Sequence, residues 1–302
     1  MRLFAPVLIV LLTTPLAPAD TSDYEIKLVR PPAVGQKYTL KAEGAMTREA
    51  SYTLDGKSAG TVKDGFGVQL EGTAEVLAVN KDGEEGKVAC TVTKCVRITE
   101  EQGEKEMIPP GRVIIATGGK DDTTFTIDKG ELSDDAREAL DLVLRMGEDD
   151  GYNDDKIYGT TKRQPVGGTW EIDTKAAADE AAADDVKFDP KDVTGTMKLE
   201  KLETVDGVEC LRVAGEMAVK QLTAKPPKDM KNDGARLKAK FWSLYPVDAK
   251  LGAVAEGMSV THHLRYRGKP ADADGKEMVV DNKVQRAVEL KRKFLDEKQG
   301  KQ

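Results

Sequence analysis

The chain has 302 residues, a formal net charge of −7 at pH 7 and a sequence pI near 5.2. An acidic chain is a poor partner for nucleic acid, because phosphate binding depends on a concentrated basic surface. The basic residues are scattered except in the tail at Lys291, Arg292, Lys293 and Lys298, where we expect a solvated terminus.

The first residues predict a secretory signal peptide. Arg2 gives a positive start, an apolar run covers residues 3–12, and Ala17-Pro18-Ala19 offers a small-residue cleavage site. A membrane-spanning helix needs about 20 apolar residues, which exceeds the length of this run. We therefore expect residues 1–19 to be removed and the mature protein to be exported, either to the periplasm or outside the cell.

Alternating apolar and polar residues predict a first β-rich lobe over residues 20–131. The alternation begins at Tyr24–Val29 and returns at Val68–Val79. A turn at residues 80–83 then leads to a return strand over Lys87–Ile98. Further turns are predicted at Asp55-Gly56 and Asp206-Gly207. Short strands joined by hairpin turns are typical of an antiparallel, meandering sheet.

Residues 132–157 predict a link between two lobes. Ser133 is a suitable N-cap, and apolar residues on one stripe predict an amphipathic helix over residues 133–146. The acidic loop Glu148–Asp155 that follows has the carboxylates that hard cations prefer, but Gly151 is misplaced for an EF-hand. We therefore predict a solvated linker and no metal site.

The second β-rich lobe is predicted over residues 158–302. It opens with Pro165-Val166-Gly167-Gly168-Thr169-Trp170, followed by a short exposed helix over Thr174–Val186. Clean alternation over Met258–Tyr266 predicts a strand. A last strand over Met278–Leu290 and a helix over residues 284–295 are both compatible with the sequence.

A faint repeat relates the two lobes. Pro32-Ala33-Val34-Gly35 precedes Tyr38 much as Pro165 and its neighbours precede Trp170. Gly72-Thr73 likewise resembles Gly195-Thr196, and each leads through a turn to a return strand bearing a cysteine. Two copies of one β-rich unit explain the pattern, with chance similarity among alternating strands as the alternative.

Three cysteines form an odd set in an oxidising compartment. Cys90 and Cys95 are five residues apart, so a regular strand would place them on opposite faces and too far apart to bridge. A disulfide between Cys90 and Cys210, the cysteines of the two return strands, is one possibility. Three unpaired thiols are the other.

The Pro-Val-Gly-Gly-Thr-Trp entry to a strand at residues 165–170, the Gly-Thr hairpins with their Asp-Gly turns and the late alternating strands resemble uncharacterised exported bacterial proteins of the lipoprotein-carrier type. The resemblance implies a curved antiparallel sheet wrapped partly around helices. It also implies that the concave face holds an apolar ligand. It supplies no catalytic residue.

Catalytic chemistry has little support in the sequence. The two histidines, His262 and His263, are adjacent and so point to opposite faces of a strand. We expect His262 to be a satisfied core or cross-strand residue and His263 to be a solvated surface residue. No nucleophile elbow, zinc-protease motif or phosphate-binding loop is present in the sequence. Paired carboxylates of a hydrolase stay open, because sequence spacing does not fix distances between strands.

The sequence thus predicts an α+β fold, predominantly antiparallel β, with two related curved-sheet lobes and a linking amphipathic helix. We expect an exported, non-enzymatic binding or interaction protein without cofactor, metal or nucleic acid, holding an apolar ligand or a protein segment on a concave face. The alternatives are a carboxylate-dependent hydrolase and a purely structural envelope protein. The candidate ligand contacts, for which ordinary core packing is the competing explanation, are Tyr38, Trp170, Trp242, His262 and Tyr266.

Overall fold

The computed structural model describes residues 22–119, 122–146, 153–183, 186–224, 226–270, 273 and 275–295. The predicted signal peptide, most of the acidic loop 148–155 and the turn residue Asp274 lie outside the described residues.

Strands dominate the described chain. In order they are β1 Asp23–Tyr24, β2 Lys37–Leu54, β3 Lys57–Val79, β4 Glu85–Thr99, β5 Gly103–Glu106, β6 Val113–Thr117, β7 Thr124–Ile127, β8 Gln164–Pro165, β9 Thr169–Glu171, β10 Val193–Val205, β11 Val208–Val219, β12 Met230–Pro246, β13 Ala255–Gly268 and β14 Met278–Phe294. The helices are α1 Asp134–Val143, α2 Asp154–Tyr158 and α3 Thr174–Ala183, with a short 3-10 turn at Pro190–Asp192.

Among the described residues, twelve of these strands form one curved, open, antiparallel sheet. Its order is β7-β6-β4-β3-β2-β14-β13-β12-β11-β10-β9, with β5 paired to β4. The strands β1 and β8 form a separate two-stranded pair. The predominantly antiparallel β prediction is confirmed.

The centre of the sheet joins the early and late parts of the chain. β14 pairs with β2 along its whole length, from Met278 opposite Leu54 to Phe294 opposite Tyr38. The last segment is therefore a strand, and the helical alternative for it is wrong. Backbone pairing with β2 and β13 on its two sides outweighs the helical periodicity of this stretch.

Turn chemistry fixes the hairpins. Asp55 and Gly56 both have positive φ, 47° and 76°, and Asp206 and Gly207 have 49° and 83°. Two successive residues in this region make the turn whose twist matches that of paired strands, and Asp-Gly adopts it readily. The predicted turns at both dipeptides are confirmed.

The helix α1 covers one end of the sheet. Ser133 is its N-cap, and the Ser133 hydroxyl accepts a hydrogen bond from the Ala136 amide at 3.2 Å. The buried face of α1 packs against β2, β3 and β14 and includes Ala136, Leu140 and Val143. The predicted amphipathic helix is confirmed, although it ends at Val143 because Leu144 leaves the helical conformation.

The helix predicted over Thr174–Val186 is also present but shorter, because it ends at Ala183. The Asp173 carboxylate caps it by accepting hydrogen bonds from the Lys175 and Ala176 amides, at 3.0 and 2.9 Å. Its face is not fully exposed as expected, since Ala177 and Ala178 are buried.

The N-terminal segment does not form the strand predicted at Tyr24–Val29. Only Asp23 and Tyr24 are paired, whereas the next residues run in irregular extended backbone. The amides of Leu28 and Val29 donate to the Asp155 carboxylate, at 2.8 and 3.2 Å, instead of to a neighbouring strand. The apolar side of this alternation is still used, because Leu28 is buried in the core at the β10–β12 end of the sheet.

The three cysteines are buried and unpaired. Cys90 lies in the core beneath α1, whereas Cys210 lies in a small separate cluster with Leu244 and Ala255. Five strands stand between β4 and β11 in the sheet order, so a Cys90–Cys210 disulfide is not formed in this structure. Burial raises the pKa of Cys90 to about 11 and is the main cause that raises the pKa of Cys95 to about 12.

Register departs from the sequence-based expectation around these cysteines. Cys90 and Cys95 share one core, because the β3–β4 register shifts between Glu71 and Gly72 and reverses the alternation. Cys90 faces Ala74, close to Gly72, whereas Cys210 faces Glu203 far from Gly195. The two cysteines therefore do not occupy equivalent places in their hairpins.

Within the described ranges, no helix is both long and apolar enough to cross a membrane.

Gly44 tests the contact between α1 and the sheet. A Cβ at Gly44 would lie 2.7 Å from Val143 Cγ1 and 2.9 Å from Leu142 Cγ, closer than packed atoms allow. We predict that Gly44→Ala lowers the free energy of unfolding by about 1–3 kcal/mol, measured by urea denaturation. Gly67→Ala is the matched control, because its Cβ would meet its nearest neighbour at 3.6 Å and should change stability by about 0.5 kcal/mol or less. Equal stability of the two variants would contradict this packing.

Candidate functional site

A cavity of about 310 Å³ is lined by β2 and β10–β14 of the sheet, by α1 and the residues after it, by α2 and by the N-terminal segment. Most of its wall is apolar, with a small set of polar groups on one side. The apolar wall includes Leu28, Tyr38, Leu40, Leu142, Val143, Met146, Tyr158, Met197, Val213, Phe241, Tyr245, Met258, Val288 and Leu290. The polar groups are Arg145, Asp154, Ser243, Glu256 and Arg292.

Strand alternation places these side chains in the cavity wall. Every second residue of a strand points to the same face, so Phe241, Ser243 and Tyr245 of β12 all reach the cavity. In β13 and β14 the same rule places Glu256 and Arg292 on that face. Glu256 stands opposite Leu290 of β14, one inward-facing position before Arg292, so the two charged groups are diagonal neighbours across the β13–β14 pair.

An ion pair between two half-buried side chains forms the polar side of the cavity. Arg292 Nη1 lies 2.8 Å from Glu256 Oε1, and the Tyr38 hydroxyl donates to Glu85 at 3.0 Å nearby. Desolvation lowers the pKa of Arg292, but the attraction of Glu256 and Glu85 outweighs it and raises the pKa above its usual range. Arg292 Nε is buried and, among the described residues, has no hydrogen-bond partner.

Asp154 is the second acidic group of the cavity. It begins α2, directly after the N-cap Asn153, and its exposed side chain lines the cavity. Desolvation, followed by the nearby carboxylates Glu256 and Asp155, raises the pKa of Asp154 to about 6. Within the part of the chain that the structure describes, the Asp154 side chain has no hydrogen bond or ion pair.

A polar chamber of about 350 Å³ adjoins the apolar cavity. The two share Arg145, Asp154, Glu256 and Arg292 in their walls. The polar chamber adds the charged residues Arg30, Glu84 and Glu85. The Arg292–Glu256 pair therefore stands at the boundary between an apolar and a polar compartment.

Arg30 closes the far wall of the polar chamber. Its guanidinium donates to the backbone carbonyls of Lys27 at 2.9 Å, Pro246 at 2.6 Å and Leu251 at 3.0 Å. It also stacks on the Tyr245 ring, 4.9 Å from the centroid. These bonds from Arg30 Nε and Nη1 fix the N-terminal segment to the β12–β13 connection.

The structure brings one of the five predicted contact residues into the cavity wall, Tyr38. Trp170 packs against the core at the β10–β12 end, and its indole N–H donates to the Tyr158 carbonyl at 2.7 Å. Trp242 points to the opposite face of β12, where the Arg212 guanidinium stacks on it at 4.3 Å. His262 and Tyr266 lie on the cavity-facing side of β13 but farther along the strand, outside the cavity wall.

The two histidines are both half-buried. Burial, followed by the nearby Arg286, lowers the pKa of His262. His263 is thus less solvated than the sequence suggested, and neither histidine lines the cavity. Among the described residues, no group of three or more His, Cys, Asp or Glu side chains is arranged to hold a metal ion.

Sequence reasoning missed the charged part of the site. Arg292 was assigned to a solvated basic tail, but it lies within β14, where its half-buried side chain forms an ion pair with Glu256. Asp154 was assigned to a solvated linker, but it faces the cavity. The aromatic run at Phe241–Tyr245 was a signal for the apolar wall, since Phe241 and Tyr245 both contribute to it.

Comparisons with known proteins identify no family for this chain. No protein-family model matches the chain, and no curated protein matches it. Weak similarity is found to the crystal structure of OpdQ from Pseudomonas aeruginosa, at 7% identity and a TM-score of 0.24, covering 86% of this chain and 98% of that one. The toluene transporter TodX of P. putida gives 7% identity and a TM-score of 0.15, covering 91% and 96%. Such TM-scores carry no argument about fold or function.

The raised pKa of Asp154 predicts a pH-dependent stability. In the folded protein Asp154 keeps its proton up to about pH 6, whereas the ordinary pKa of an aspartate is 3.8. Ionisation of Asp154 therefore opposes folding as the pH rises from about 4 to above 6. We predict that Asp154→Asn is more stable than the wild type at pH 7.5, by on the order of 1 kcal/mol because cavity solvent screens part of the effect. The difference should vanish well below the ordinary pKa of 3.8, where the wild-type carboxyl is protonated in both states.

The measurement is urea denaturation of both proteins at the two pH values. Asp64→Asn, on the exposed β2–β3 hairpin, is the control and should match the wild type at each pH. A less stable Asp154→Asn variant at pH 7.5 would mean that the ionised carboxylate makes a favourable contact, contrary to this description.

Proposed function

We propose that this protein is an exported, non-enzymatic binding protein that holds an apolar ligand in the cavity on the concave face of its sheet. The observation that carries the proposal is the cavity of about 310 Å³ with a largely apolar wall. Ligand sites in proteins commonly span about 300–1,000 Å³ and combine apolar walls with a few polar groups. An apolar cavity of about 150 Å³ is already enough to bind benzene.

The wall suits a flexible apolar chain. Three methionines, Met146, Met197 and Met258, contribute to it, and methionine side chains adapt to irregular ligands. Met258 is 43% exposed although it lines the cavity, so the cavity reaches the surface there. A ligand could enter beside Met258 without separation of the strands.

The finer description of the fold belongs to the same proposal. We infer an α+β arrangement of two related lobes of the lipoprotein-carrier type, each with its own part of the sheet. Two separate buried clusters support it, one beneath α1 and one at the β10–β12 end of the sheet. The helices and the N-terminal segment would then cover the concave face.

A hydrolase is the second candidate, because two carboxyl groups share the cavity wall. Asp154, with its pKa raised to about 6, could supply a proton, while Glu256 is held next to Arg292. Turnover of nitrophenyl esters or glycosides that is lost in both Asp154→Asn and Glu256→Gln would favour this candidate. A purely structural role is less favoured, since it predicts a sheet with both faces filled.

The proposal predicts binding of an uncharged apolar dye such as phenylnaphthylamine, whose fluorescence rises in apolar surroundings. Val288→Trp adds bulk to the cavity wall and should weaken dye binding by about tenfold or more, measured by fluorescence titration. Val62→Trp makes the same change at a position that is 54% exposed on the β2–β3 hairpin, and it should bind like the wild type. Absence of saturable binding to the wild type, or equal binding to Val288→Trp, would contradict the proposal.

A further inference from the structure

We propose that the face of the sheet opposite the cavity carries a binding site for a single phosphate group, as the free ion or a small soluble ester, centred on His263. Its members, called here the His263 cluster, are Arg236 and Lys238 of β12, His263 of β13 and Lys283 of β14. The inference goes beyond the proposed function, since none of these residues lines the apolar cavity or the polar chamber.

Strand register brings the cluster together. Arg236 stands directly opposite His263, and His263 stands directly opposite Lys283. Residues paired in this way share a face, and neighbouring strands lie about 4.8 Å apart, so one cation flanks the imidazole on each side. Lys238 follows on the same face of β12, about 7 Å further along the strand. Side chains of three strands therefore surround one small area of the surface.

The chain has a net charge of −7, yet the cations of this cluster are not neutralised within the fold. Among the described residues, Arg236, Lys238 and Lys283 form no salt bridge and no side-chain hydrogen bond. Glu49, the carboxylate opposite Lys283, pairs with Lys63 at 3.4 Å instead. Like charges on neighbouring strands repel one another, so the grouping costs stability when no anion is bound. A ligand that binds there offsets this cost.

His263 makes the site responsive to pH. It is half-buried, whereas Arg236 and Lys238 are exposed and long enough to close over it. Burial and then the charges of Arg236 and Lys283 lower the pKa of His263, whereas Asp281 acts in the opposite direction. Lys238 adds to the lowering. The imidazole is therefore neutral at neutral pH and gains a proton more readily beside a bound anion. Its N–H groups then donate to phosphate oxygens together with the guanidinium and the ammonium groups.

Acidic residues around the cluster limit the size of the ligand. Asp281 stands opposite Arg265 and borders the cluster at one end of the strands. Glu216 of β11 stands opposite Lys240 at the other end, and Glu49 of β2 borders the side next to β14. An extended polyanion or an anionic membrane would bring negative charge against these carboxylates. One compact oxyanion avoids them, and it has the charge that the cluster lacks.

The test is an NMR titration of the full-length protein, in which His262 and His263 are the only histidines. His263→Gln assigns the two imidazole signals. Sulfate is the probe for pH dependence, because its charge is constant over this range, and inorganic phosphate is titrated at pH 7.5. At constant ionic strength, we expect each anion to move the His263 signal saturably and to leave the His262 signal in place. Sulfate should bind about fivefold or more tighter at pH 5 than at pH 8, since protonation of His263 adds a positive charge to the site.

Variants show whether the cluster itself holds the anion. Arg236→Gln and Lys283→Gln each remove one cation and should weaken sulfate binding by about threefold or more. Arg286→Gln is the matched control, because Arg286 is also an exposed arginine but lies on the opposite face of β14. It should leave binding at His263 unchanged.

Three results would overturn the site: no saturable movement of the His263 signal, equal movement of both histidine signals, or unchanged affinity in Arg236→Gln. Tighter sulfate binding at pH 8 than at pH 5 would contradict the role of His263. Binding to phosphatidylglycerol vesicles that is lost in Arg236→Gln would overturn the choice of a small soluble ligand. None of these results depends on dye binding in the cavity, so the proposed function is tested separately.

Discussion

The pairing of β14 with β2 is the constraint on which the rest of the structure depends. It places the late strand Met278–Phe294 beside the early strand Lys37–Leu54, and so joins two parts of the sheet that are distant in sequence. At its end the Tyr38 and Phe294 rings meet edge to face, with centroids 5.9 Å apart. The same register sets Arg292 opposite Leu40, which puts a charged side chain next to the apolar wall. Without this pairing, the cavity would lose the part of its wall that β2 and β14 form.

The half-buried ion pair of Arg292 and Glu256 positions two charged groups at the cavity and contributes little net stability. Removing two charges from water costs several kcal/mol, and their mutual attraction often does no more than offset that cost. Among the described residues, Arg292 Nε is buried without a hydrogen-bond partner, which is uncommon in folded proteins. Together with Asp154, the ion pair forms a polar end on an otherwise apolar cavity, an arrangement common in ligand sites.

The sequence predicted much of the fold, because local patterns determine it. Period-two alternation located the long strands, Asp55-Gly56 and Asp206-Gly207 marked turns, and Ser133 marked the start of α1. The strand prediction failed at Tyr24–Val29, because two backbone amides of this segment donate to the carboxylate of Asp155 in the distant helix α2. It also failed at Cys95, because a register irregularity between paired strands leaves no trace in a single sequence.

The site was harder to predict, since it depends on which strands become neighbours. Glu256 and Arg292 stand in different strands, and no spacing rule relates them before the β13–β14 register is known. The opposite face of the sheet likewise brings together residues from different strands, because basic residues that looked scattered in the sequence surround His263. Burial and then the charges of Arg236 and Lys283 lower the pKa of that histidine. Aromatic content was a weak guide, because Trp170 and Trp242 serve packing outside the cavity.

The central claim is that the cavity holds an apolar ligand, and native mass spectrometry tests it most directly. The wild-type protein and Val288→Trp would be incubated with a bacterial lipid extract, separated from free lipid and measured under non-denaturing conditions. The account predicts extra mass on the wild type that organic solvent removes, and little or none on the variant with the obstructed cavity. A bare wild-type mass, or the same added mass on both proteins, would contradict it.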